Sequence, residues 1–195
     1  MSKKFSPKEI LMPTLVLLLI GIVAAALLGG TNLLTKDKIA SINAETKAKA
    51  MQAVMPDAQS FGDAEEAQDS MEYAPAKDGD GSVIGYAFTV SVNGYGGEIQ
   101  AMVGVNLDGS VRKVEILAAD SETPGLGQNV KKSSFLDQFM NKLGELTVTK
   151  SAPTADNEIQ AVTSATISSK AVTKAVNAAT AYYAENLAEG GNGNG

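Results

Sequence analysis

The chain has no cysteine, no histidine and no tryptophan among its 195 residues. Without Cys there are no disulfides, thiolate metal sites or cysteine-ligated iron–sulfur clusters, and without His the usual haem and zinc ligands are missing too. The same absences exclude Ser-His-Asp and Cys-His catalysis. Basic residues are the minority, 16 against 22 acidic for a formal net charge of −6, which makes nucleic acid a poor partner. No glycine-rich phosphate loop with its Lys and Ser/Thr occurs, and no GxGxxG follows a strand, so nucleotide hydrolysis and a Rossmann-type site lack support. Paired carboxylates such as Glu65-Glu66 read as a solvated face. If a protein of this composition handles electrons, an organic cofactor such as a flavin is what remains.

What is present begins with a long apolar run. From Ile10 to Thr35, 26 residues pass without a charge, and 10–29 spans roughly 30 Å as a helix, the hydrocarbon thickness of a bilayer. The run is longer than the core of about 7 to 15 residues typical of a cleaved signal peptide, so it is expected to stay as an anchor despite its small residues. Lys3, Lys4 and Lys8 precede it, which places the N-terminus in the cytoplasm and the rest of the chain across the cell (inner) membrane. The expected organisation is a cytoplasmic N-terminus (1–9), a transmembrane anchor (10–30), a juxtamembrane helix or stalk (31–56), an extracytoplasmic domain (57–189) and a flexible tail (190–195).

Beyond the anchor, residues 36–54 are rich in Ala, Lys and Glu and read as a helix ending before Met55-Pro56. Met51, Val54 and Met55 read as core or contact residues rather than redox ligands. Residues 59–81, acidic and Ala-rich with little periodicity, read as surface loop and turns. Residues 82–92, 98–106 and 111–118 have strand character, joined by NGYGG and by Leu107-Asp108-Gly109-Ser110, a strong hairpin signal. Residues 131–143 read as a helix burying Phe135, Leu136, Phe139, Met140 and Leu143. A short strand at 145–150 and a long alanine-rich helix over 168–187, capped by Ser168 or Ser169, complete an α+β domain: an antiparallel sheet packed with helices.

Two segments carry unusual local chemistry. In Asp120 to Asn129, DSETPGLGQN, Pro124 and Gly125 force a turn, Gly127 permits a close backbone approach, and Glu122 and Thr123 bring polar groups to it; a rigid connector would read the same. In Gln160 to Ser169, QAVTSATISS, the hydroxyls of Thr163, Ser164, Thr166, Ser168 and Ser169 gather before a helix. Free backbone N–H groups and the helix dipole favour an anion there, and a Ser/Thr-rich capping region is the alternative.

From the N-terminal anchor through SETPGLGQ to TSATISSKAV, the chain resembles the extracytoplasmic FMN-binding subunits of membrane electron-transfer complexes. These are the G subunit of the Rnf ferredoxin:NAD oxidoreductase and its relative, the C subunit of sodium-pumping NADH:quinone reductase. In that family the threonine ending an S/T-G-A-T sequence is esterified to the phosphate of FMN by a dedicated flavin transferase. The resemblance implies Thr166 as the attachment residue within Thr163-Ser164-Ala165-Thr166, with Ser164 in place of the usual glycine and Gln160 where the family often has Asp. It implies hydrogen bonds to the phosphate from Thr163, Ser164, Ser168 or Ser169. It also implies polar contacts to the flavin ring from Glu122 and Thr123, apolar packing from Leu126, and close approach at Gly125 and Gly127.

The expected function is that of a covalent-FMN electron carrier in an ion-translocating Rnf complex, relaying electrons between reduced ferredoxin and NAD with other membrane and peripheral subunits as partners. No metal and no complete active site of its own are expected. The short length favours the Rnf subunit over the quinone-reductase subunit, and a membrane-tethered binding module without redox function is the alternative from another class.

Overall fold

The computed structural model describes residues 7–68 and 70–188; Lys3, Lys4 and the expected tail 190–195 lie outside the described residues. The chain divides after Glu45 into two units. A single helix, α1 (Pro7–Val54), supplies the first of them, and its residues 46–54 belong to the second. Leu15, Leu17, Leu18, Leu27 and Leu28 are all more than half exposed. Within α1 the structure has one helix long and apolar enough to cross a membrane.

The second unit is built on a six-stranded antiparallel sheet, and the expected antiparallel sheet packed with helices is what is found. β3 (Met71–Lys77), β4 (Val83–Asn93), β5 (Glu98–Asn106) and β6 (Val111–Ala118) pair in sequence order. Two short strands, β1 (Ser60–Phe61) and β2 (Glu65–Gln68), pair with opposite ends of β3. The β5–β6 hairpin turns at the foreseen residues, where Asp108 accepts hydrogen bonds from the Ser110 hydroxyl at 2.6 Å and the Ser110 N–H at 2.9 Å. Those two bonds hold the Asp108 carboxyl below its ordinary pKa.

Alternation along β5 sorts its side chains to two cores. Ile99, Ala101, Val103 and Val105 pack with Val172, Ala175, Val176 and Ala179 of the long helix α3 (Thr166–Tyr182), whose small side chains let it lie close to the sheet. Met102 faces the other way, onto Ala50, Val54 and Met55. Met51 packs against that second core, so Met51, Val54 and Met55 are packing residues as expected.

Three local expectations are corrected. Residues 59–81 are not surface loop: β3 is a core strand with Met71 and Tyr73 on one face and the buried Ala74 and Ala76 on the other. Burial on both faces removes the apolar–polar alternation by which a half-buried strand is recognised. Tyr73 donates to Glu65 at 2.6 Å, and that bond, then burial, raises the phenol well above its usual pKa.

Residues 131–143 are not one helix but a 3₁₀ turn (Gly127–Lys131), a single α turn α2 (Ser133–Leu136) and a second 3₁₀ turn (Asp137–Phe139). Phe135, Leu136 and Phe139 are buried, whereas Met140 and Leu143 are exposed. The chain leaves the helical path because Asn141, at φ 60°, donates its N–H to Val111 O while Val111 N–H donates to Lys142 O. Satisfying that strand end outweighs the helical periodicity.

The third correction is at the start of the last helix. α3 begins at Thr166 after Ala165, which offers no side-chain cap, and Ser168 and Ser169 are buried inside its first turn. The segment before it forms a small parallel pair, β7 (Thr147–Thr149) with β8 (Glu158–Gln160). The strand expected at 145–150 is β7; β8 shows no signal in the sequence, its three residues being too few to display a period.

Candidate functional site

The last residues before α3 arrive from β8, where the Gln138 side chain holds the Gln160 backbone at both ends. Its Oε1 accepts from Gln160 N at 2.8 Å and its Nε2 donates to Gln160 O at 3.2 Å. Three residues of loop then lead to Ser164, which adopts the left-handed region at φ 63°. That is a conformation glycine takes freely and a side chain resists. It turns the chain so that Thr166 becomes the first residue of α3.

At this helix start the N–H groups of Thr166, Ile167 and Ser168 have no acceptor among the described residues, the first bond being Ser169 N–H to Ala165 O at 2.9 Å. The hydroxyls of Thr163, Ser164 and Thr166 are likewise without hydrogen bonds among the described residues. Thr163 and Ser164 are exposed and Thr166 half-buried. Ser169 is committed elsewhere: its hydroxyl donates to Ala165 O at 2.9 Å and accepts from Val162 N at 3.0 Å.

The second segment follows β6. Gly125 takes φ +76° in a turn closed by Leu126 N–H and Gln128 N–H, both donating to Thr123 O at 3.2 Å. This leaves Thr123, Gly125 and Leu126 exposed and turns Glu122 inward, where it is 1% exposed. Glu122 Oε1 accepts from the N–H groups of Tyr95 at 2.6 Å and Gly96 at 3.1 Å, and its Oε2 accepts from the Ser168 hydroxyl at 2.8 Å. A Cβ at Gly127 would collide with this carboxylate.

A cavity of about 380 Å³ joins the two segments. From the loop it takes Glu122, Thr123, Leu126 and Gly127; from the start of α3 it takes Ser164, Ala165, Thr166 and Ser168. Residues some 40 positions apart in the chain therefore share one wall. Tyr95 and Ile167, which no sequence motif singles out, complete it. Thr163 lines a neighbouring cavity with Lys132 and Gln138, while Gly125 and Ser169 line neither. The signal for Tyr95 was its position in NGYGG, a glycine-dense turn with one large aromatic.

The lining suits a phosphate-bearing aromatic ligand. Its volume lies within the range of about 300–1,000 Å³ usual for small-molecule sites. It offers N–H donors at the positive end of a 17-residue helix, hydroxyls, and the apolar surfaces of Leu126, Ile167 and Tyr95. Among the described residues, no Lys or Arg lines it. A phosphate there would meet backbone dipoles and hydroxyls.

Comparison with known proteins finds that residues 94–181 match the family described as FMN-binding domain and residues 1–54 the family described as RnfG N-terminal region. The G subunit of the Na(+)-translocating ferredoxin:NAD(+) oxidoreductase complex of Acetobacterium woodii is 35% identical over 90% of this chain and 91% of its own length. The G subunit of the ion-translocating oxidoreductase complex of Methanosarcina acetivorans is 30% identical over 90% of this chain and 95% of its own. Among solved structures, the C subunit of the Na(+)-translocating NADH-quinone reductase from Parabacteroides distasonis aligns at TM-score 0.49 and 21% identity, over 58% of this chain and 61% of that one.

Proposed function

The chain belongs to the RnfG family, the G subunits of ion-translocating oxidoreductase complexes, and on that premise we propose that it is a membrane-anchored carrier of covalent FMN. Thr166 is the attachment residue: in a reaction performed by a flavin transferase with a flavin dinucleotide as donor, its Oγ bonds to the flavin-side phosphorus as the pyrophosphate P–O bond breaks, and the threonine proton leaves with the departing nucleoside monophosphate. The observation that carries this reading is the cavity that unites Thr166 with Thr123 and Leu126 at the free N-terminal end of α3.

The N–H groups of Thr166, Ile167 and Ser168 face the phosphate, with the Ser164 hydroxyl available as a further donor. Leu126 and Ile167 give apolar surface to the ring, and Thr123 a hydroxyl to its polar edge. Thr163, Gly125 and Ser169 act at one remove, by shaping the two loops. Bound FMN supplies the redox chemistry, and the protein supplies position, exclusion of water and retention. No acid, base or nucleophile of this chain is needed for electron transfer itself.

In this reading the subunit relays electrons between ferredoxin and NAD within an Rnf complex, with the other subunits as partners. The basic residues before the apolar run leave the N-terminus in the cytoplasm and the flavin domain outside it. The test is intact and peptide mass spectrometry of the full chain made with a flavin transferase. An addition of about 440 Da on the Thr166 peptide, expected for an FMN phosphoester, supports the reading; an unmodified peptide beside an active transferase overturns it.

A further inference from the structure

Glu122 is a buried carboxylate with no ion pair among the described residues; there, every hydrogen bond it accepts comes from a backbone N–H or from Ser168. These bonds tie three segments of the cavity wall together: the 94–97 turn, the 120–127 loop and the first turn of α3. The tie is tight, since a Cβ at Gly94 or Gly127 would collide with one or other carboxylate oxygen. What the tie fixes is the backbone of Tyr95, a residue that is nonetheless 71% exposed. The other four tyrosines stand differently: Tyr73, Tyr86, Tyr182 and Tyr183 pack against one another or Phe88 at ring separations of 5.6 to 6.5 Å. Tyr95 is thus an aromatic left in solvent on a backbone that is held rigidly, at the edge of the cavity.

We propose that Tyr95 is a flavin-binding residue that covers one face of the isoalloxazine ring, and that Glu122 is a positioning residue that sets Tyr95 against the start of α3. This deepens the flavin reading and rests on it. A flat ligand pairs with an exposed aromatic through offset stacking, and rigid backbone support lowers the entropy lost when the pair forms. Glu122 acts through Tyr95 and Ser168, its oxygens being occupied by their donors.

Contact with a phenol quenches flavin fluorescence by electron transfer to the excited ring, so the full chain, flavinylated and in detergent, reports the arrangement directly. Tyr95→Leu is expected to raise the fluorescence per covalent flavin several-fold with the mass addition retained. Glu122→Ala should give a similar rise with Tyr95 still present. Glu122→Gln should stay quenched, because its amide oxygen still accepts from Tyr95 and its amide nitrogen can donate to the Ser168 hydroxyl. If Glu122→Ala does not fold, the exposed Tyr95 still carries the test. A flavinylated Tyr95→Leu variant with wild-type fluorescence overturns this proposal while leaving the Thr166 ester standing. A wild-type chain without the mass addition overturns the flavin reading and this proposal with it.

Discussion

The cavity at the start of α3 and the groove along its second half are two hollows beside one helix, and they differ in nearly every respect. The groove is the larger, about 1,010 Å³ against 380 Å³, and is lined by Leu107, Leu143, Leu146, Ala178 and Ala181, with Lys170 and Lys174 beside them. Volume and apolarity alone would choose it as the ligand site. Yet the N–H groups that α3 contributes along it are already spent on helical bonds, and the nearer helix end carries the negative pole of the dipole. The small cavity has the reverse: free N–H groups, the positive pole and a half-buried threonine. For a ligand whose most demanding part is a phosphate, the direction of the helix decides, and size does not.

Removing the hydroxyl proposed for attachment breaks this contrast most completely. Thr166→Ala should abolish the mass addition. Because no Lys or Arg lines the cavity among the described residues, it should also fail to retain free FMN through gel filtration. Flavin held tightly without the ester would mean that the dipole and hydroxyls suffice, and the argument from the missing cations would fall. Gly127→Ala comes next. Its methyl would collide with the Glu122 carboxylate and stand 3.0 Å from the Ser168 hydroxyl, so the cost is put at about 1–3 kcal/mol for an overpacked site. A denaturant titration reads the stability and mass spectrometry the accompanying fall in flavinylation; unchanged values would show that the wall is softer than its hydrogen bonds imply.

How much of this was legible in the sequence follows from how each element meets its surroundings. β5 and β6 were readable to their ends because a hairpin turn of known chemistry joins them. β3 was hidden because both faces are buried and Ala fills one of them. The helix expected over 131–143 failed at Asn141, where a strand end claims the backbone, a tertiary demand that no local period records. At the site, composition and local pattern showed two separate motifs; only the resemblance put them around one ligand, and the fold lines one cavity with both. Ser168 and Glu122 illustrate the gap: read as a cap and a ring contact, they are bonded to each other at 2.8 Å in the interior. Tyr95 was passed over because a single aromatic in a glycine-rich turn has no pattern to join.

Smaller effects sharpen the comparison further. Ser164 holds a left-handed conformation in the loop before Thr166, and such a residue costs about 1–2 kcal/mol relative to one without a Cβ. Ser164→Gly, which restores the residue the family usually has there, should therefore raise stability by about 1 kcal/mol, less the greater entropy of glycine in the unfolded chain. A loss of stability instead would mean that the Ser164 hydroxyl does more for the loop than its strain costs.

The smallest expected effect belongs to the groove. Ala181 lines it and is exposed, and Gln is a good helix former, so Ala181→Gln narrows the hollow while changing stability by no more than about 0.5 kcal/mol. If the start of α3 alone holds the flavin, covalent yield and flavin fluorescence should match the wild type. A drop in either would mean that the larger hollow shares in binding, and that the direction of the helix is not the whole of what selects the site.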